Sequence, residues 1–188
     1  MINSPIRRKL TQRSINKLTS GYTFESVMDD TDGQAILIAQ KCEKPDTKDP
    51  APKVFMKIGL EKDTMNSIKK EYKLLRKMEH PHIIKPMDYK KGKLSSKAYR
   101  RMVLPYFKNG DLWTLTQKSD GLGENVARVY GLQILEALQF LHDQNIAHRD
   151  VKLDNVIVKD DLDVALIDFD LAEKRKDVKE VPAKDVTL

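Results

Sequence analysis

Residues 146–158 read Ile-Ala-His-Arg-Asp-Val-Lys-Leu-Asp-Asn-Val-Ile-Val, and what this stretch becomes decides the fold. A long apolar helix pattern, Val126 to His142, runs into it, and a short strand-like run leaves it. Ten residues on, Ala165-Leu166-Ile167-Asp168-Phe169-Asp170 sets a second polar group in an apolar setting. Asp150, Lys152 and Asn155 then share one tight loop, and Asp168 ends a strand beside it. Two carboxylates, an amide and an ammonium meet around one point. Magnesium takes oxygen ligands of this kind and usually keeps substrate phosphates in its shell. A carboxylate placed there can also accept a hydroxyl proton. The plainer reading is a polar loop that uses Asp and Asn for turn chemistry.

The pattern His148-Arg149-Asp150-x-Lys152-x-x-Asn155 resembles the catalytic loop of protein kinases, with Lys152 as in the serine/threonine class. Asp168-Phe169-Asp170 resembles the Asp-Phe-Gly metal motif, with Asp in place of Gly. Upstream, Val54-Phe55-Met56-Lys57 is similar to the third-strand lysine motif. The run from Glu71 through His80-Pro81 to Ile84 resembles the αC helix and its following turn, and Met102 to Phe107 resembles strand five and the hinge. The resemblance covers residues 22–175.

It implies an α+β, protein-kinase-like fold, with a β-rich small lobe carrying one αC-type helix and the first part of a helical large lobe. The expected division is a basic arm (1–21), the small lobe (22–105), a truncated large lobe with the catalytic loop (106–175) and a charged tail (176–188). It implies ATP and Mg2+ as cofactors and a protein hydroxyl as acceptor. In those terms Asp150 orients and deprotonates the hydroxyl, and Lys152 supports the transferring group. Lys57 holds phosphate with Glu71 as its ion-pair partner, and Asn155 and Asp168 hold the metal. Ile36, Phe55, Leu104, Tyr106, Asp111 and Ile157 are the expected nucleotide contacts, Leu104 as gatekeeper, Asp111 toward the ribose and Ile157 as the adenine floor. The chemistry of Lys57 supports the pairing independently, because an unpaired charge inside an apolar strand is costly.

Taken in order, Tyr22 to Val27 reads as a strand and 29–34 as a turn by composition. Ala35 to Ala39 and Val54 to Ile58 read as strands, Met65 to Met78 as a helix ended by His80-Pro81. Residues 85–101 read as a basic loop around Gly92, Met102 to Leu104 as a strand, and Leu112-Trp113 as the start of a short helix.

Four departures from the family bear on activity. The three glycine places of the phosphate loop hold Asp29, Thr31 and Gln34, with only Gly33 nearby, so aspartates stand where an anion would go. The small residue expected two before Lys57 is Phe55, which either fills adenine space and packs on Ile157 or joins the core. Asp170 adds charge and restricts backbone where glycine is usual. No Ala-Pro-Glu motif follows before Leu188, so the peptide platform is expected from a fragment's remainder or another chain, unless the kinase is minimal. Two classes stay open: a serine/threonine kinase, and a pseudokinase that docks a partner with little or no ATP turnover.

Composition sets outer limits. The 188 residues carry a net charge of +6, with 40% hydrophobic and 33% charged residues, an ordinary soluble balance. One cysteine, Cys42, excludes an intrachain disulfide and fits a reducing compartment, so a cytoplasmic or nuclear setting is expected. No apolar run is long enough to span a membrane. Residues 1–20 hold Arg7, Arg8, Lys9, Arg13 and Lys17 without an acid, and a second basic cluster runs from Lys85 to Arg101. Such clusters can face nucleic acid, anionic lipid or acidic partners. The first reads as a solvated arm or a short helix, and nucleic acid is disfavoured because no aromatic residue interleaves it. On the long helix Val126, Val129, Tyr130, Ile134, Ala137, Phe140 and Leu141 make one apolar stripe, while Leu132, Leu135 and Leu138 fall outside it. Those three predict a contact with another protein or a second copy of the chain.

Overall fold

The computed structural model describes residues 12–31, 33–42, 51–159 and 162–175; the charged tail from 176 and most of the basic arm lie outside them. A helix, α1 (Gln12–Leu18), precedes three strands, β1 (Tyr22–Thr31), β2 (Gln34–Lys41) and β3 (Lys53–Gly59). Helix α2 (Lys62–Leu75) follows, then β4 (Asp88–Leu94) and β5 (Lys97–Pro105). The five strands form one antiparallel sheet in the order β1-β2-β3-β5-β4.

Alternation along the strands gives the sheet two faces. Ala35, Leu37, Ala39, Val54, Met56 and Ile58 turn to one side and are buried with Tyr99, Val103 and Leu18. Ile36, Phe55 and Lys57 belong to the opposite face, which carries α2. Leu18 and Thr19 are buried, so the end of the basic arm is docked on the sheet and not wholly solvated. The reason is Arg101, itself buried, whose guanidinium donates to the carbonyls of Leu18 (2.8 Å) and Ser20 (3.1 Å) and pairs with Asp88.

Two local expectations are corrected here. The basic stretch 85–101 is a hairpin, β4–β5, because Tyr89 pairs Met102 and Lys91 pairs Arg100 across it. β4 is the outer strand, and exposed lysines on an edge disguise it as a loop. β1 runs on through Asp29 to Thr31, since pairing of Asp29 with Ile36 and Thr31 with Gln34 outweighs the turn-like composition. The turn tightens to Gly33, whose φ of +80° suits glycine.

The second lobe begins at α3 (Leu112–Lys118), capped by Asp111, and α4 (Glu124–Asp143). Short strands follow: β6 (Ile146–Ala147), β7 (Val156–Val158) after a single 3-10 turn at Leu153–Asn155, β8 (Val164–Leu166) and β9 (Glu173–Lys174). β7 pairs β8, and β6 pairs β9. A core of Ile68, Leu75, Tyr130, Leu141, Val156, Leu166 and Phe169 joins the lobes. On α4, Leu132 and Leu135 are 57% and 61% exposed. Leu138 instead packs against the core, because the buried face of this helix is wider than one stripe. Among the described residues no helix is long and apolar enough to cross a membrane.

Candidate active site

α2 delivers Glu71 to the sheet because Ile68, Glu71 and Leu75 share its buried side at helical spacing. The helix starts on a capping box between Glu61 and Thr64. Its first turn lies so close to β3 that a Cβ on Gly59 would sit 2.8 Å from the Met65 nitrogen. Arg100 donates to the Met65 carbonyl (2.8 Å) and the Asn66 side chain (3.0 Å), and the Thr64 hydroxyl donates to the Gly33 carbonyl (2.7 Å). None of these anchors is visible as a motif.

Lys57 is the hub. Its Nζ lies 2.9 Å from Glu71 Oε2 and 2.7 Å from Asp168 Oδ1. The ion pair with Glu71 is therefore formed, and Asp168 joins it. Burial disfavours the lysine's charge, but the two carboxylates outweigh it and hold its pKa above the ordinary value. Burial also pushes the Glu71 carboxyl up, against the pull of Lys57. Glu71 Oε1 accepts from the Phe169 backbone N–H at 3.1 Å, which ties the residue after Asp168 to α2.

The catalytic-loop residues gather as expected. Lys152 Nζ donates to Asp150 Oδ2 (2.9 Å), and Asn155 Nδ2 donates to the same oxygen (2.7 Å) and to the Asp150 carbonyl (2.9 Å). Lys152 first, then Asn155, holds the Asp150 carboxyl below the usual range despite some desolvation. Ile167 N–H donates to the Asn155 carbonyl at 3.0 Å, so Asp168 emerges next to the loop. His148 is buried edge-on to Phe169, ring centroids 4.6 Å apart. Its Nε2 donates to the Ile167 carbonyl (3.0 Å) while Nδ1 accepts from Asp150 N–H (3.3 Å). That pattern defines a neutral ring, and burial lowers its pKa accordingly. Arg149 and Asp168 adopt φ of 68° and 60°, the sparsely populated backbone that clusters at functional sites. Asp170 needs no such backbone, so replacing glycine there costs nothing in this conformation.

The donor set suits magnesium. Asn155 commits its amide nitrogen to Asp150 and leaves its oxygen, and Asp168 offers a carboxylate. Among the described residues no three His, Cys or acidic side chains converge on a metal position. A cation here would therefore lean on phosphate oxygens, which magnesium favours.

The nucleotide side is different. Phe55 stays on the face of Lys57 rather than joining the core. It pairs with Leu104 across the strands and packs against Tyr106 at 4.9 Å between ring centroids. Ile157 is buried, opposite Ala165 and bridged to Asp111. Leu104 packs on the inter-lobe core. Ile36 stands opposite Lys57 on β2. Asp111 caps α3, its two carboxylate oxygens accepting from the Thr114 N–H (2.7 Å) and hydroxyl (2.9 Å).

Two lobes, a lysine–glutamate pair and this loop define a kinase-type domain, and comparison with known proteins agrees. The protein kinase domain family matches residues 32–188. The chain belongs to that family. It is 35% identical over 127 residues to maternal embryonic leucine zipper kinase of Danio rerio, covering 66% of this chain and 18% of that protein. It is 32% identical over 151 residues to CBL-interacting protein kinase 11 of Oryza sativa subsp. japonica, covering 78% and 27%. Cell division control protein 7 of Schizosaccharomyces pombe is 32% identical over 113 residues, 60% of this chain and 10% of that protein. The matched stretch is thus less than a third of each relative's length.

Proposed function

We propose that the chain acts as a protein serine/threonine kinase domain, moving the γ-phosphoryl group of ATP to a protein hydroxyl. The observation that carries this is Lys57 Nζ within 2.9 Å of both Glu71 and Asp168, which leaves the lysine charged and fixed. Phosphoryl transfer depends on positioning and charge more than on covalent chemistry. ATP with magnesium would supply the phosphoryl group and a cation to neutralise it. Asp150 then aims the acceptor hydroxyl and takes its proton, with its own orientation set by Asn155. Lys152, 2.9 Å from Asp150, places positive charge beside the transfer path. Lys57 presents its charge to phosphate oxygens, and Asn155 and Asp168 offer oxygens to the metal.

A second reading, a pseudokinase that docks a partner, is favoured by one observation. The Phe55–Tyr106 ring pair lies on the nucleotide-facing side of β3. In either reading the exposed Leu132 and Leu135 are a proposed contact for a second copy. Sedimentation with both changed to glutamine tests that contact: dissociation to monomer supports it, and a wild-type monomer overturns it.

The two functional readings separate on transfer of label from γ-labelled ATP to a serine/threonine peptide mixture. Asp150→Asn should lower the rate by roughly 10²–10⁴, the usual worth of a general base. A wild-type rate no higher than that of Asp150→Asn would leave the pseudokinase reading standing.

A further inference from the structure

The turn between α2 and β4 holds a surface feature that the phosphoryl-transfer site does not use. A cleft of about 270 Å³ is lined by Met78, Glu79, His80, Pro81, Ile83 and Lys85. It is smaller than the roughly 300 Å³ at which pockets begin to enclose a drug-sized ligand, and it suits a single side chain. Its frame is fixed. The His80 ring packs on Phe140 at 4.9 Å, and His82 Nδ1 donates to the Val164 carbonyl at 2.8 Å. Ile84 N–H donates to the Leu166 carbonyl, and Leu166 N–H returns a bond to His82.

The approach to this cleft is cationic. Between residues 69 and 85 stand Lys69, Lys70, Lys73, Arg76, Lys77 and Lys85 against Glu71 and Glu79, and from the other lobe Glu136 and Asp163 face the turn at His82, 3.6 and 3.2 Å away. Glu71 is buried on Lys57, so it does not offset the surface charge. Glu79 is spent on Lys85, 2.9 Å away, at the rim of the cleft. Among the described residues no carboxylate lies within ion-pair distance of Lys69, Lys70, Lys73 or Lys77. The dipole at the end of α2 favours a cation in its last turn, which accounts for Lys73 and not for the others.

We propose that the end of α2 and the turn after it dock an acidic protein segment, one apolar side chain of which enters the cleft. The segment's carboxylates face the lysines, and one of them displaces Glu79 from Lys85. A nucleic-acid strand fits less well. The Tyr72 ring, the aromatic closest to these cations on α2, already stacks on Tyr89 at 4.4 Å and lies under Arg76, so it offers no free face to a base. A membrane surface fits less well too, because Met87, two residues past Lys85, is a lone exposed large apolar residue in the stretch 62–87, little to insert beside the cations.

The test is fluorescence polarisation with a labelled peptide of glutamates around one leucine, on the full chain. Binding should weaken as salt rises, since screening acts on exposed charges. It should weaken about tenfold or more when the peptide leucine becomes alanine, the scale of one buried apolar side chain. Lys73→Glu with Lys77→Glu should weaken it further, and Glu79→Gln should tighten it. The proposal is overturned if the peptide does not bind, or if the alanine peptide binds equally. It is also overturned if a single-stranded oligonucleotide or phosphatidylserine vesicles bind more tightly than the leucine peptide at the same salt.

Discussion

The corner around Lys57 and the roof around Phe55 lie on the same side of one sheet, yet they follow different rules. In the corner the charged side chains are tied to partners of opposite kind. Lys57 joins Glu71 to Asp168, and Asp150 is gripped by Lys152 and Asn155. On the roof an aromatic ring stands two residues from Lys57 and closes on Tyr106. Buried charges must be paired to be tolerated, so the corner is constrained by stability as well as by chemistry. An apolar ring facing a cleft carries no such penalty.

The largest effect expected from breaking the corner is on stability. Lys57→Met leaves Glu71, 1% exposed, without its cation and beside Asp168. Stability should fall by about 3–5 kcal/mol, as when one partner of a buried pair is removed, read from urea unfolding. A loss under about 1 kcal/mol would mean that Glu71 is already neutral or reaches water.

The fold was legible where charge interrupts an apolar run. Lys57 and Asp168 could be read that way, and the spacing of Asp150, Lys152 and Asn155 placed the loop. Glu71 was legible only in combination with Lys57. Arg101 carries a related signal, a charge directly before the apolar run Met102-Val103-Leu104, but its basic neighbours mask it. Its buried bonds to Leu18 and Ser20 are what dock α1. β4 was hidden because an edge strand tolerates lysines. The partner of Phe55 was not legible either. Strand alternation puts that ring on the cleft face, but only the fold brings Tyr106 to it. Asp111 has a local role that the spacing alone shows: an aspartate followed three residues later by threonine caps its own helix.

A smaller effect tests the neutrality of His148. Its pKa is lowered from the ordinary 6.5 by burial. The neutral ring therefore contributes stability that is fully present above about pH 6.5 and is lost as pH falls toward the depressed value. NMR titration should show the His148 ring protonating below the ordinary range. Urea unfolding should show a smaller rise of stability between pH 5 and 7 in His148→Asn than in the wild type. A ring that titrates at 6.5 or above would contradict the assigned bonds.

The contrast between corner and roof is tested most directly by calorimetric titration of magnesium-ATP into the wild-type chain and into Phe55→Ala. The wild type should bind on the order of 0.1 mM or weaker, and Phe55→Ala about tenfold more tightly, a gain of about 1.4 kcal/mol. Micromolar binding by the wild type, with no gain in Phe55→Ala, would show that the Phe55–Tyr106 pair does not obstruct the nucleotide.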